Sequence, residues 1–598
     1  MTISPGAGDQ PSTPHARHRG EASAERPDDV ETAVGQPRPD PRHAGEVPPD
    51  PALPGLTDAG EPADPPTPTE PTEPTEPTET RLLRRLLGDA TLRLGSTGRD
   101  RLWGWLGPLL VTALAAAARF PNLGRPHRLV FDETYYVKQA YTLLRVGYEA
   151  RWGSDPNPAF EAGDVNTFLS RADYVVHPPV GKWMIALGMD LTGPASSVGW
   201  RLSAAIVGTL SVLMLARIAR RLFASTLLGT IAGGLLAIDG EAIVHSRTGL
   251  LDGFVMFFAL AAFGALLIDR EQARRRLASR VAGRLDAGLT LTAWGPVLSV
   301  RWWRIAAGVL LGLTIGTKWS GLYFLAVFGL LTVLWDVTAR RAAGVRHWLP
   351  AGILRDGALA AVTLVPLAVV TYLASWFSWF RSPGAYLRDW AATHPGEGVG
   401  WLPESLRSLW KYHNDMWEFH NNLAAAHAYS AHPIGWPIQW RPTSFFYETP
   451  VPANAACGAD RCSQAITSLG NPILWWGASV AIIAVIWWLV RTRDWRAGAA
   501  LSGIVAGWLP WFAYAHRTIF TFYSIAFAPW MILTLTYAIG KVLGAPDADP
   551  ARRRRGAWWV GGYLALVVVV SAFFYPIWTA QVVPYTFWRL HMWLATWV

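Results

Sequence analysis

From about residue 100 onward the chain is a succession of apolar runs separated by short polar connections, while the first hundred positions hold no sustained apolar run. A helix needs about 20 apolar residues to cross a bilayer. By that ruler eleven spans are expected, centred on 103–120, 200–222, 225–239, 249–268, 302–317, 321–336, 357–378, 472–490, 497–515, 519–540 and 557–577. The third, fifth and sixth are short for it. Two further helix-compatible stretches, 133–145 and 183–193, are too brief or too polar to cross and are expected to lie along the interface. The pattern predicts an all-α polytopic integral membrane protein.

Orientation follows from the cations, because Lys and Arg near span ends are retained in the cytoplasm. Clusters at Arg217, Arg220 and Arg221, at Arg270 to Arg280, at Arg340, Arg341 and Arg346, at Arg491, Arg493 and Arg496, and at Arg552 to Arg555 fall in alternate connections. A cytoplasmic N-terminus satisfies them all. The exterior segments are then 121–199, 240–248, tight turns near 318–320 and 516–518, the long segment 380–471, and the end 578–598. The net charge of +9 is accounted for by topology and anionic headgroups, with no need of nucleic acid.

Residues 1–100 are rich in Pro, Gly and charge, with Pro-Thr-Glu repeats around 69–79, a composition that cannot bury enough apolar surface to fold. A disordered cytoplasmic tail is expected there, ahead of a catalytic membrane domain over 101–598. The first apolar run starts too late for a cleavable signal peptide. Residues 81–94 alternate cations with leucines at helical spacing, suiting either a helix flat on the inner leaflet or an entry helix to the first span.

The two cysteines, Cys457 and Cys462, both fall in the long exterior segment, where oxidation is permitted. Five residues apart, they suit a small disulfide-closed loop better than a metal site. His413 with His420 and His427 with His432 do not match the two-His motif with an intervening acid. No metal and no cofactor are expected.

The acid pair in Phe131-Asp132-Glu133-Thr134-Tyr135-Tyr136 lies just beyond the first span. Asp132 suits an N-cap of the following helix. It equally suits a general base, because a carboxylate in a partly desolvated interface gains basicity and can take a proton from an acceptor hydroxyl. His177-Pro178-Pro179-Val180-Gly181-Lys182 reads as a functional segment or as a rigid connector with a snorkelling lysine. Arg201, Arg247, Lys318 and Arg517 stand at exterior span ends. One such cation is an interface anchor; several converging ones make a cradle for an anionic phosphate. Aromatics across 380–471 suit a sugar or an extended peptide, and equally an interfacial tryptophan belt.

The acidic motif, the His-Pro-Pro segment, Arg247-Thr248-Gly249-Leu250-Leu251-Asp252 and Thr317-Lys318-Trp319-Ser320-Gly321 come in the order in which protein O-mannosyltransferases carry such motifs. The chain therefore resembles that family, glycosyltransferase family 39 of the GT-C superfamily, from about residue 103 to the end. The resemblance implies a GT-C fold and inverting transfer of mannose from a polyprenyl phosphate mannose donor to Ser or Thr of exported proteins. It implies a multi-pass protein of a bacterial plasma membrane with its site facing the exterior, and coupling to the Sec translocon.

On the same basis Asp132 is expected to be the catalytic base, with Glu133 assisting. Arg201 and Lys318 are expected on the donor phosphate, joined by Arg247 and Arg517. Tyr136, His177, Lys182, Glu241, Asp252 and His516 are expected to line the substrates. The segment 380–471 is too short for the β-trefoil domain of the eukaryotic members. The alternatives are a GT-C transferase acting on a lipid or cell-wall polysaccharide, and a transporter or flippase. The latter should place its ionisable groups near the bilayer midplane rather than at one rim.

Overall fold

The computed structural model describes residues 76–449, 451 and 457–598, so most of the expected tail lies outside the described residues. Helices stand at all eleven expected span positions. In chain order the main helices are α1 (Thr78–Leu87), α2 (Gly98–Arg119), α3 (Glu133–Val146), α4 (Val180–Thr192), α5 (Ser197–Phe223), α6 (Thr226–Ile238), α7 (Gly240–Ser246) and α8 (Asp252–Asp286). They continue with α9 (Trp302–Thr317), α10 (Gly321–Ala342), α11 (Trp348–Ser375), α12 (Glu404–Asn422), α13 (Pro472–Thr492), α14 (Trp495–Gly507), α15 (Ala528–Leu543) and α16 (Pro550–Trp578). Among the described residues seven helices, α2, α5, α8, α10, α11, α13 and α16, are long and apolar enough to cross a membrane. The pair α6 and α7, bent by 62°, makes an eighth if it is one span.

The bend between α6 and α7 has a local cause. Asp239 leaves helical geometry and caps α7, its carboxylate accepting from the Ala242 N–H at 3.1 Å. Leu236 and Ala237 thereby lose the next-turn donors for their carbonyls, and the buried Arg119 at the end of α2 donates to both, at 3.0 and 2.8 Å. A side chain at Gly240 would collide with Trp578 of α16, so the bend packs directly on the last helix.

Two helices extend beyond their expected limits. α8 continues well past 268, so the arginines from Arg270 to Arg280 lie on the helix rather than in a connection. α11 begins at Trp348 and passes through a wide π-type turn at Ala351–Gly357. At the start of α9, Arg301 pairs with Asp269 and Asp336, and Arg304 with Asp336 at 2.5 Å, locking α8, α9 and α10 together. α1 docks there too: Leu82, Leu86 and Leu87 are buried against Leu277, Val281 and Val345, and Arg274 donates to the Leu86 carbonyl at 2.9 Å. Residues 81–87 are thus covered by protein on their leucine face, the pattern of an entry segment rather than of a helix facing lipid alone.

Short strands add to the helical expectation. β1 (Ala150–Trp152) pairs antiparallel with β2 (Phe168–Ala172) between α3 and α4. β3 (Thr443–Glu448), β4 (Cys462–Ser468) and β5 (Val582–Pro584) form a second antiparallel sheet that ties the long segment after α12 to the chain end. Cys457 and Cys462 are disulfide-bonded, with Cα atoms 5.9 Å apart, at the start of β4. The fold stays overwhelmingly helical, and its loops gather over the start of α8 and the end of α9.

Candidate active site

Asp132 stands at the N-cap position of α3, yet its side chain caps nothing. The capping alternative for this residue is therefore not what the structure contains. The residue before it, Phe131, adopts φ +47°, a left-handed conformation costly for a side chain of this size. Packing holds it there. The Phe131 ring lies parallel to Phe445 of β3 at 4.8 Å and edge-on to Phe522 at 5.4 Å and Phe520 at 6.1 Å.

The two acids of the pair have different surroundings. Glu133 is fully buried and accepts from Arg201 Nε and Nη2, both at 2.8 Å. It also accepts from the Val130 N–H at 3.0 Å and the Gly249 N–H at 2.7 Å. Gly249 comes so close to the Trp200 carbonyl that a Cβ would lie 2.8 Å from it, so the backbone reaches Glu133 only without a side chain. Arg201 donates its remaining N–H groups to the carbonyls of Leu123, Pro126 and Arg128. All five donors of its guanidinium are engaged. In this arrangement Arg201 has no N–H group left for the donor phosphate expected of it. Glu133 is equally saturated, with four hydrogen bonds on its two oxygens.

Two more expected site residues are likewise committed, and a third stands apart. Arg247 donates to the carbonyls of Arg119, Pro121 and Asn122 at 2.6–2.9 Å and holds the chain as it leaves α2. Lys182, fully buried, pairs with Glu149 and donates to the His177 carbonyl at 2.9 Å. His516 is exposed and makes no side-chain hydrogen bond among the described residues, which takes it out of the cluster.

What the fold does bring together is Asp132, Tyr136, Asp252, Lys318 and Tyr523. Tyr136, one turn along α3, donates its hydroxyl toward Asp132 Oδ2 at 3.4 Å. Lys318, in the turn after α9, pairs with Asp252 at the start of α8 at 2.7 Å and sits 5.0 Å from the Tyr523 ring centre. Asp132 keeps some accessible surface but is densely enclosed. Burial pushes its carboxyl up to about 6; the Lys318 ammonium and the Tyr136 hydroxyl pull it down and the Asp252 carboxylate pushes it up.

A second arc of imidazoles borders this cluster. His177 stacks on His420 at 5.2 Å and lies 6.0 Å from Tyr136. His420 of α12 donates from its Nε2–H to the Val176 carbonyl at 2.8 Å, and its Nδ1 accepts from Arg517 Nη2 at 3.4 Å. Burial lowers His420 to about 4, and burial next to Lys318 and His420 holds His177 well below the ordinary imidazole range. Both rings are neutral at pH 7. Arg517 has a buried Nε without a partner, in contrast to the saturated Arg201.

Sequence reasoning missed His245. It is buried in α7 against Phe445 and Phe522, and neither ring nitrogen has a partner. Its neighbour on the same helix, Glu241, accepts from Ser524 Oγ at 2.7 Å while its other carboxylate oxygen has no partner. The only signal for His245 was its position two residues before Arg247, within an apolar stretch that reads as core. Among the described residues no group of three or more His, Cys, Asp or Glu converges as a metal site.

Comparison with known proteins matches residues 176–282 to the family model described as dolichyl-phosphate-mannose-protein mannosyltransferase. Residues 405–597 match the C-terminal four-transmembrane region of protein O-mannosyltransferase. The polyprenol-phosphate-mannose--protein mannosyltransferase of Mycolicibacterium smegmatis is 41% identical over 509 residues, 83% of this chain and 94% of that protein. The proteins of the same description from Mycobacterium tuberculosis and Corynebacterium glutamicum are 40% and 33% identical, each across 92% of the relative and 83% and 82% of this chain. Among solved structures, the Saccharomyces cerevisiae protein O-mannosyltransferase Pmt1–Pmt2 complex bound to the sugar donor aligns with a TM-score of 0.63 at 15% identity. That alignment covers 85% of this chain and 94% of the solved one. The likeness establishes the GT-C fold.

Proposed function

The chain belongs to the protein O-mannosyltransferase family, and we propose that it transfers mannose from a polyprenyl phosphate mannose to Ser or Thr hydroxyls of exported proteins. The observation that carries the assignment of roles is the free Asp132 carboxylate, raised to about 6, beside the Lys318–Asp252 pair. In the transfer the acceptor oxygen forms a bond to the anomeric carbon as the bond from that carbon to the phosphate oxygen breaks. The hydroxyl proton passes to Asp132, and the phosphate leaves with the bonding electron pair on the opposite face of the sugar, inverting its configuration. A carboxylate of raised basicity suits the first task. Lys318 and Arg517, fixed cations in a desolvated place, suit the second.

The remaining residues position these. Glu133 and Arg201 hold the chain on either side of Asp132, Tyr136 orients its carboxylate, His420 positions Arg517, and neutral His177 offers hydrogen bonds to sugar hydroxyls without competing for the phosphate. The site faces the exterior and the N-terminus the cytoplasm, a reading supported by the arginine clusters at the other ends of the spans.

The test uses purified protein in membranes with labelled polyprenyl phosphate mannose and a Ser/Thr-rich peptide. Labelled peptide is expected, and none with Asp132→Asn. Label appearing in lipid or polysaccharide but never in peptide would refute the acceptor assignment.

A further inference from the structure

A cavity of about 460 Å³ opens between α5, α8 and α9 at the end of the bundle remote from Asp132. Glu271, on its rim, lies about 28 Å along α8 from Asp252 at 1.5 Å per residue. That distance is close to the thickness of a bilayer's hydrocarbon core, about 30 Å. The cavity therefore sits at the opposite membrane interface from the catalytic cluster.

Its walls are of two kinds. Met214, Ile218, Ala261 and Leu310 make an apolar slot, lined also by Gly264, where a side chain would press on Ile218. At one end stand Arg217, Arg220, Arg221 and Arg275 with a single acid, Glu271. Glu271 pairs with both Arg221 and Arg275, while Arg220 pairs with Asp100 at 2.9 Å. Four guanidinium groups against two carboxylates leave two positive charges in excess. Arg217 is held 3.9 Å over the Trp105 ring, and it and Arg221 each use only Nη1 toward a protein acceptor among the described residues. Their Nε and Nη2 groups remain for an outside acceptor, in the fork that suits a phosphate. Trp303, half exposed beside them, marks the level of an interface.

We propose that this cavity holds an anionic glycerophospholipid of the leaflet opposite the catalytic site. Its phosphate rests on Arg217 and Arg221, and one acyl chain lies in the slot. A soluble anion would gain nothing from the apolar wall, and a zwitterionic lipid would gain little from two unneutralised cations. Residues Thr91 and Leu94 complete the rim, so the lipid also joins the segment between α1 and α2 to the bundle.

The full chain, purified in detergent, is washed and its retained phosphatidylglycerol counted by native mass spectrometry. Its melting temperature is then followed on adding phosphatidylglycerol, phosphatidylcholine or inorganic phosphate. Retention and a rise in melting temperature are expected with phosphatidylglycerol alone. Arg217→Gln with Arg221→Gln should lower retention at least tenfold, and the control pair Arg554→Gln with Arg555→Gln, exposed at the start of α16, should leave it unchanged. Ala261→Phe keeps every charge, narrows the slot and should also lower retention. Equal retention in the arginine variant, equal loss in the control, an unaffected Ala261→Phe protein, or an equal rise with inorganic phosphate would each overturn the proposal.

Discussion

Replacing Asp132 by Asn should make the protein more stable and nearly inactive. Enclosure lifts this carboxyl from its ordinary 3.8 to about 6. An acid whose folded pKa is raised holds its proton in the native state after the unfolded chain has released it. Its contribution to stability therefore falls as pH rises from about 4 to about 6. The full penalty, about 3 kcal/mol at one decade of binding per 1.36 kcal/mol, is present at pH 7 and absent at pH 4. The amide cannot ionise and escapes it, and it can still accept from the Tyr136 hydroxyl. Melting temperatures of the two proteins should accordingly coincide near pH 4 and diverge in favour of the variant by pH 7. Catalysis moves the other way, because loss of a general base lowers turnover roughly 10²–10⁴-fold. In the unaltered enzyme kcat/KM should rise roughly tenfold from pH 5 to pH 7 as the carboxylate ionises. A flat pH profile over that range, or a variant retaining more than a tenth of the activity, would show that Asp132 is not the base.

Three other expectations follow from the same geometry. Arg201→Gln breaks a fully buried pair with Glu133 and should cost about 3–5 kcal/mol of stability, read as lost yield and a lower melting temperature; a well-folded variant impaired only in donor KM would return Arg201 to the phosphate. Lys318→Met should cut kcat/KM about 10²–10³-fold and move the pH rise to higher pH, since the ammonium now pulls the Asp132 carboxyl down; an unmoved pH profile would separate the two groups. Removing the Cys457–Cys462 bridge with paired Ser substitutions should cost about 2 kcal/mol, the closure entropy of so short a loop, and leave transfer intact; lost activity at unchanged stability would place the loop in the reaction.

The membrane spans were legible because each is a run of apolar residues, a signal that needs no tertiary information. The acidic motif and Lys318 stood out in the sequence because few charges stand at the span ends opposite the arginine clusters. What could not be read was which charges the fold saturates. Arg201, Arg247 and Lys318 look alike in sequence, yet the first two each donate to three carbonyls of residues 119–128, groups every residue carries and no pattern announces. The strands β3 and β4 were hidden for a related reason. Their apolar residues, such as Phe445, Ala465 and Ile466, pack in a buried cluster, and segments this short, such as Ser444-Phe445-Phe446-Tyr447, carry no clear period of two beside the longer runs around them.

Glu133 and Asp132 are joined by one peptide unit, and that adjacency has a consequence for how the enzyme would fail. The bolt formed by Glu133, Arg201 and the Gly249 amide fixes where the chain ends its turn, and the left-handed Phe131 fixes how it enters. A fault anywhere in that clasp displaces the proton acceptor by the same amount as it displaces the backbone, with no flexible side-chain length between them to absorb the error. Substitutions far from mannose, at Trp200 or in the 121–128 turn, should thus silence the reaction while the membrane helices remain in place.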